Sequence, residues 1–341
     1  MDEFAIDHAA VRLAARKLEQ GKLVAFPTET VYGLGGDAEN PAAIADIYAA
    51  KGRPANHPVI VHLAPEADIS YWAAEVPVEA RRLIASFWPG PLTLILKRAA
   101  HIPDAVSGGQ DSVGLRCPSH PVAQALLREF RGGKGGVAGP SANKFGHVSP
   151  TTAQHVRDEF GVADTLVDYV LDGGACEVGI ESTIVDLSRV ATHGPVLLRP
   201  GQISIDQLTA VLGEAPALPD AAAPRASGTL DAHYAPSTPV AQIESDSLEK
   251  TLQQLHAHGH RFALIHHGKS PASAAHAEVK MAADPHAYAH DLYAALRDMD
   301  HAGADLIVVE ALPATSVWQG INDRLRRAAF DSTGIIARLL G

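Results

Sequence analysis

Four cationic side chains stand beside helix- or strand-ending signals: Lys51 and Arg53 in Lys51-Gly52-Arg53-Pro54, Arg116 in Leu115-Arg116-Cys117-Pro118, and Arg199 in Arg199-Pro200-Gly201. Hydroxyls and amides accompany them at Thr28, Thr30, Ser112, Ser141, Asn143, Thr151 and Ser182. No nucleophile, base and acid fall into a pattern. Fixed cations with neutral donors and no evident base suit a reaction between anions, where alignment and charge neutralisation supply most of the acceleration. Plainer accounts exist for each residue. Lys51 and Arg53 could be surface cations at a helix C-terminus, where the dipole favours them. His62, in an apolar run, could be a core histidine, Ser182 the start of a strand, Arg199 half of a surface ion pair, and Tyr32 core packing.

The elements that must position these groups are legible in the punctuation. Residues 22–26 form an apolar run broken by Pro27, with three glycines by position 36, as in a buried strand ending in a tight turn. Asn40 caps the next helix, Pro41 suits its first turn, Ile44, Ile47 and Tyr48 share a face, and Gly52 stops it. Strand patterns follow at 59–63, which carries His62, and at 92–96, before Arg116, before Ser141, and at 167–171, 182–187 and 196–199. Helical patterns at 8–19, 78–88 and 121–130 alternate with them, and another opens after Ser149-Pro150-Thr151-Thr152, a start that suits an anion. The run 132–136 lacks the Lys-Ser/Thr ending of a phosphate loop and reads as a flexible connection. Ser204 with Gln207 forms a capping box for a helix that stops at Gly213.

From 214 the composition turns to Pro and Ala, which marks a linker over 214–238 between a domain of residues 1–213 and one of residues 239–341. The second domain alternates strands at 240–243, 262–265 and 306–309 with helices at 248–258, 288–299 and 322–329, a small parallel Rossmann-like pattern. It lacks a Gly-x-Gly-x-x-Gly turn, so no dinucleotide is expected there. Its His266-His267 pair lacks helical metal spacing and reads as solvated or core histidines.

With 341 residues and a net charge of −11, the chain is long enough for two domains and ill suited to a nonspecific grip on nucleic acid or acidic membrane. Cys117 and Cys176 are expected to be reduced thiols in a cytoplasmic protein. Asp2, Glu3, Asp7 and His8 open the chain without an apolar signal core, and no window approaches a membrane span.

Pro27-Thr28-Glu29-Thr30-Val31-Tyr32-Gly33-Leu34-Gly35, with Lys51-Gly52-Arg53-Pro54 and His57-Pro58-Val59-Ile60-Val61-His62 downstream, closely resembles the threonylcarbamoyl-AMP synthase family, YrdC-type, in its longer two-domain form. The resemblance covers nearly the whole chain, most specifically residues 22–201. It implies an α/β fold, a twisted mixed-sheet catalytic domain plus a smaller Rossmann-like parallel domain. It also implies a nucleotidyltransferase: L-threonine and bicarbonate or CO2 give a carbamate that attacks the α-phosphate of ATP, the first step of tRNA threonylcarbamoyladenosine synthesis. On the family's pattern Thr30, His62, Arg116, Ser141 and Ser182 would hold threonine. Arg53, Asn56 or His57, Ser112, Asn143, Thr151, Arg199 and Tyr234 would contact ATP, and Lys51 and Arg53 would be catalytic, with Lys51 facing the carbamate. Magnesium would arrive on the triphosphate and not in a protein cage. The product would pass to a separate tRNA threonylcarbamoyl transferase complex.

The linker would cover the site, although Ser227-Gly228-Thr229-Leu230 departs from the family's Ser-Pro-Gly-Met type string before His233-Tyr234-Ala235-Pro236. Residues 320–325 match the family's Ile-Asn-Asp-Arg-Leu string, with no known role. Two other functions are weighed. An RNA-binding module without catalysis conflicts with the net charge, and carbamoyl transfer in metal-cofactor maturation expects Cys-x-x-Cys motifs that this chain lacks. Lys51→Ala is expected to abolish adenylate formation and leave the fold intact, since a helix-end lysine adds little stability.

Overall fold

The computed structural model describes residues 6–161 and 166–341; Asp2 and Glu3 of the N-terminal expectation lie outside them. Two units are present, Met1–Phe145 with Ser149–Thr229, and Gly146–Val148 with Leu230–Gly341. The expected linker is therefore shared out. Residues 214–229 pack on the first unit, where Leu197 N–H donates to Ala217 O and Ala217 N–H to Pro195 O. Gly146–Val148 belongs to the second unit, tied by Ala235 N–H to Gly146 O, a detour that composition does not signal.

In the first unit, α1 (His8–Glu19) starts on the Asp7 carboxylate and buries Val11, Ala14, Ala15 and Leu18. It is followed by β1 (Leu23–Phe26), β2 (Gly33–Asp37), α2 (Pro41–Lys51), β3 (Ile60–Leu63), α3 (Ile69–Trp72), α4 (Val78–Phe87), β4 (Leu92–Lys97) and β5 (Ser112–Arg116). Then come α5 (Pro121–Glu129), β6 (Gly136–Ala138), α6 (Ala153–Phe160), β7 (Val167–Val170), β8 (Thr183–Asp186), α7 (Val190–His193), β9 (Val196–Arg199) and α8 (Ile205–Leu212). Among the described residues one mixed sheet runs β7-β1-β2-β6-β3-β5-β4-β8-β9. The capping signals act as expected: Asn40 accepts from Ala42 and Ala43 N–H, Gly52 closes α2 at φ 61°, and the Ser204/Gln207 box is complete.

The glycines of residues 33–36 form a strand. A Cβ on Gly35 would lie 2.9 Å from Val24 O and 3.0 Å from the Phe26 ring, so glycine here answers close packing of β2 on β1, and the tight turn is confined to residues 27–32. Residues 132–136 also differ from a loose connection. Arg131 (φ 50°) and Gly132 (φ 61°) make a left-handed turn, and the Arg131 guanidinium pairs with Asp37 and, at 2.9 Å, Glu39.

The second unit holds β10 (Val240–Ile243), α9 (Ser245–Ala257), β11 (Phe262–His266), β12 (Ala277–Lys280), α10 (Pro285–Asp300), β13 (Leu306–Glu310), α11 (Gln319–Ala328) and α12 (Ile335–Leu340). Its strands form an all-parallel sheet ordered β10-β13-β11-β12. Of the histidine pair, His266 is a core residue and His267 is half-buried. His266 is fully buried with Nε2 2.9 Å from Glu278, and His267 lies 3.1 Å from Ala311 O. At the strand C-termini, where such sheets usually admit ligands, the Glu310 carboxylate takes the His267 and Gly268 N–H groups and the Ser245 hydroxyl.

Candidate functional site

Strand register sets the first row of the site. His62 on β3 and Thr93 on β4 both stand opposite Arg116 on the intervening β5, and residues in register point to one face. Arg116 is buried and its guanidinium is heavily engaged: Nη2 lies 2.7 Å from Glu29 Oε1, Nη1 donates to Thr30 Oγ1 at 2.8 Å, and Nε donates to Gly90 O at 3.4 Å. The hydroxyl chain has a fixed direction. Thr28 Oγ1 donates to Val31 O at 2.6 Å, so across the 2.9 Å Thr28–Thr30 contact Thr30 is the donor. Thr30 thus has its proton committed, accepts from Arg116, and can offer a ligand only a lone pair.

From this row the contacts pass outward through two serines. Ser182 Oγ is 2.8 Å from Thr93 Oγ1 and accepts from Arg199 Nη2 at 3.2 Å, while Arg199 Nε donates to Ser182 O. Arg199 Nη1 donates to Ser227 O at 2.8 Å. Arg53 reaches the same serine, 3.5 Å from Nη1 to Ser227 Oγ, and Arg53 Nη2 donates to Pro58 O at 2.8 Å.

Lys51 is no surface cation. It is 2% exposed, and Nζ donates to Ser141 O and Asn143 O, both at 2.5 Å. Burial first, then the Arg53 charge, pulls its pKa well below the usual lysine value. The expectation that a helix-end lysine adds little stability is therefore corrected: its amine is buried and holds Ser141 O and Asn143 O. Ser141 in turn bridges Gly33, which leads back to Thr30. Through these contacts, joined by the short chain stretches 30–33 and 51–53, Lys51, Arg53, Arg116 and Arg199 belong to one ring in the first unit.

The remaining expected residues lie around this ring or apart from it. Ser112 is buried at the start of β5 and His57 packs edge-on against Phe145 at 5.5 Å, whereas Asn56 is exposed. Thr151 is buried, its N–H donating to His155 Nδ1. Tyr234 belongs to the second unit, stacked on Tyr293 at 5.8 Å with the Arg324 guanidinium 5.4 Å from its ring. That contact gives the string 320–325 a role within its own unit. Asp323 pairs with Arg324 at 3.1 Å and Arg327 at 3.0 Å, and Arg327 donates to Leu230 O, which anchors the segment before Tyr234.

Glu29, Thr93 and Ser227 were missed as site residues. Glu29 sits inside the singled-out string, but only the register reveals Thr93, and only the return of 214–229 reveals Ser227. Among the described residues no three His, Cys, Asp or Glu side chains gather to hold a metal ion, and no helix is long and apolar enough to cross a membrane.

His62 is buried edge-on to Phe26 at 5.5 Å, and burial with the nearby Arg116 charge lowers its pKa to about 3. The unfolded chain protonates this imidazole below about pH 6.5 while the folded one does not, so folding stability is lost as pH falls from about 6.5 towards 3. Between pH 6.5 and 4.5 the wild type should lose roughly 2–3 kcal/mol more than His62→Asn. Denaturant midpoints at the two pH values check this, and parallel losses would refute it.

Comparison with known proteins adds the following. A family model described as Telomere recombination (Sua5_yciO_yrdC) matches residues 16–201, and one described as Threonylcarbamoyl-AMP synthase, C-terminal domain, matches residues 203–330. The chain is 37% identical over 338 residues to a threonylcarbamoyl-AMP synthase of Pyrococcus abyssi (strain GE5 / Orsay), covering 95% of each. It is 37% identical over 341 residues to that of Bacillus subtilis (strain 168), covering 96% of this chain and 95% of the relative. The crystal structure of P. abyssi Sua5 complexed with L-threonine superposes with a TM-score of 0.86 at 34% identity, covering 95% of both chains.

Proposed function

The chain belongs to the Sua5/YciO/YrdC family of threonylcarbamoyl-AMP synthases, and on that footing we propose that it carries out a nucleotidyl transfer yielding threonylcarbamoyl-AMP and pyrophosphate, the first step of tRNA threonylcarbamoyladenosine synthesis. The threonine amine, once deprotonated, adds to CO2 drawn from bicarbonate to give a carbamate. A carbamate oxygen then attacks the α-phosphorus of ATP, and the bond to the β-phosphate bridging oxygen breaks. The carbamate is already an anion, so this second step needs no general base.

The ring of contacts supports that division of labour. Arg116, oriented by Glu29, takes the threonine carboxylate with the guanidinium N–H groups still available. The Thr30 lone pair accepts from a substrate N–H or O–H, with His62, Ser141 and Ser182 beside it. Lys51 faces the carbamate and α-phosphate, its Nζ held in place by Ser141 O and Asn143 O. Arg53 and Arg199 would take the triphosphate with its magnesium, and Ser112, His57 or Asn56, Asn143 and Thr151 the rest of the nucleotide. The product passes to a separate transferase complex in the cytoplasm.

The carrying observation is Ser182, which joins the Arg116 row to Arg199, so that a carboxylate end and a phosphate end share one wall. Incubation with ATP, bicarbonate and L-threonine should release pyrophosphate, and the idea fails if release does not depend on threonine. Serine, short of one methyl group, should lose about 10- to 200-fold in kcat/KM, and valine, which lacks the hydroxyl, should lose more. Equal rates with valine would contradict a hydroxyl-reading pocket.

A further inference from the structure

We propose that Gln110 and Arg225 are positioning residues that latch segment 214–229 onto the first unit, and that by setting Ser227 against Arg53 and Arg199 they govern how tightly ATP is held. The proposal rests on the reading of Arg53 and Arg199 as triphosphate contacts.

The Gln110 carboxamide grips the backbone of Arg225 from both sides: Arg225 N–H donates to Oε1 at 2.7 Å and Nε2 donates to Arg225 O at 3.1 Å. It replaces a strand partner for one residue. The Arg225 side chain completes the grip, with Nε to Asn56 O at 3.2 Å and Nη2 to Gly108 O at 3.1 Å. Both receiving carbonyls belong to the loops leading to the expected nucleotide residues His57 and Ser112.

The receiving loop is built to stay in place. Ser107 Oγ donates to Gln110 O at 2.7 Å, and Gly108, at φ 60°, lets the two loops touch, since a Cβ there would lie 2.5 Å from Asn56 O. No other residue type accepts both that dihedral angle and that approach.

Next to Arg225, Ala226 is buried on the cluster of Ile60, Ile95, Ile184, Val196 and Leu198, and Ser227 follows on Arg53 and Arg199. A shift of Arg225 therefore moves Ser227. Upstream, Ala217 is pinned by its backbone and Asp220 pairs with Arg189 at 3.1 Å, so the Gln110–Arg225 contact is the last hold before Ala226 and Ser227. The latch bonds are solvent-exposed and, among the described residues, join Arg225 to backbone carbonyls and one amide.

Two measurements on the full chain test this. Trypsin should cut after Arg225 slowly in the wild type and about tenfold faster in Gln110→Ala, read as the fragment ending at Arg225, with ATP slowing both. Gln110→Glu, which keeps the acceptor but turns a second oxygen toward Arg225 O, should also be cut faster, and stands in if Gln110→Ala does not fold. Arg225→Ala should raise KM for ATP about tenfold, equivalent to about 1.4 kcal/mol, with KM for threonine and kcat within twofold. Equal cutting of wild type and the Gln110 variants, or a matching rise in the threonine KM, overturns the latch. The cutting assay needs no turnover, so a wild type that releases no pyrophosphate would refute the adenylation reading while leaving the latch measurable.

Discussion

Lys51→Ala is expected to lower threonine-dependent pyrophosphate release by about 10²- to 10³-fold or more, the usual consequence of removing a preorganised donor from developing charge. Lys51 is held by Ser141 O and Asn143 O and so meets the reacting phosphate without reorganising. The same geometry predicts a cost in stability. The variant removes the Lys51 donor from both Asn143 O and Ser141 O, and since Ser141 O still accepts from Asn143 N–H at 3.0 Å the cost falls mainly at Asn143 O, at roughly 1–3 kcal/mol. A lower urea midpoint with a single cooperative transition, together with the activity loss, is the expected pair of results. Retention of more than a tenth of the wild-type rate would remove Lys51 from the chemistry.

Glu29→Ala should be the most destabilising change at the site. Glu29 and Arg116 are both almost fully buried and 2.7 Å apart, so deleting the carboxylate leaves a guanidinium charge in low dielectric, at about 3–5 kcal/mol. The second Glu29 oxygen accepts from Ser119 N–H at 3.2 Å, which adds to the loss. Glu29→Ala/Arg116→Met, which removes the stranded charge, should recover part of that stability and none of the threonine binding. Chemical denaturation of both variants decides the point; a Glu29→Ala midpoint equal to wild type would mean the charges are not coupled.

The family resemblance implies that Arg116 holds threonine. The structure shows a guanidinium already neutralised by Glu29, with its plane set by Thr30 and Gly90. A substrate carboxylate therefore binds a preoriented fork and not a loose charge, which favours selectivity over raw affinity. Nothing in the order Thr28-Glu29-Thr30 announces this, because the partner lies 87 positions further on, across the sheet.

Local features were legible wherever one residue's chemistry decides its neighbourhood. Asn40 and Pro41 start α2, Gly52 ends it, Ser204 and Gln207 cap α8, and the apolar runs at 22–26, 59–63 and 92–96 became strands because no other conformation buries such short runs while pairing their backbones. Relations between distant segments were not legible. Glycines at 33–36 signal a turn unless the Phe26 ring is known to press on them, and Lys51 looks like a surface cation until β6 brings Ser141 and Asn143 over it. The sequence by itself determined the residue types, the element order and the family. Tertiary structure alone decided which side chains share a wall and which charges are cancelled, because register and burial are set by pairings between residues far apart in the chain.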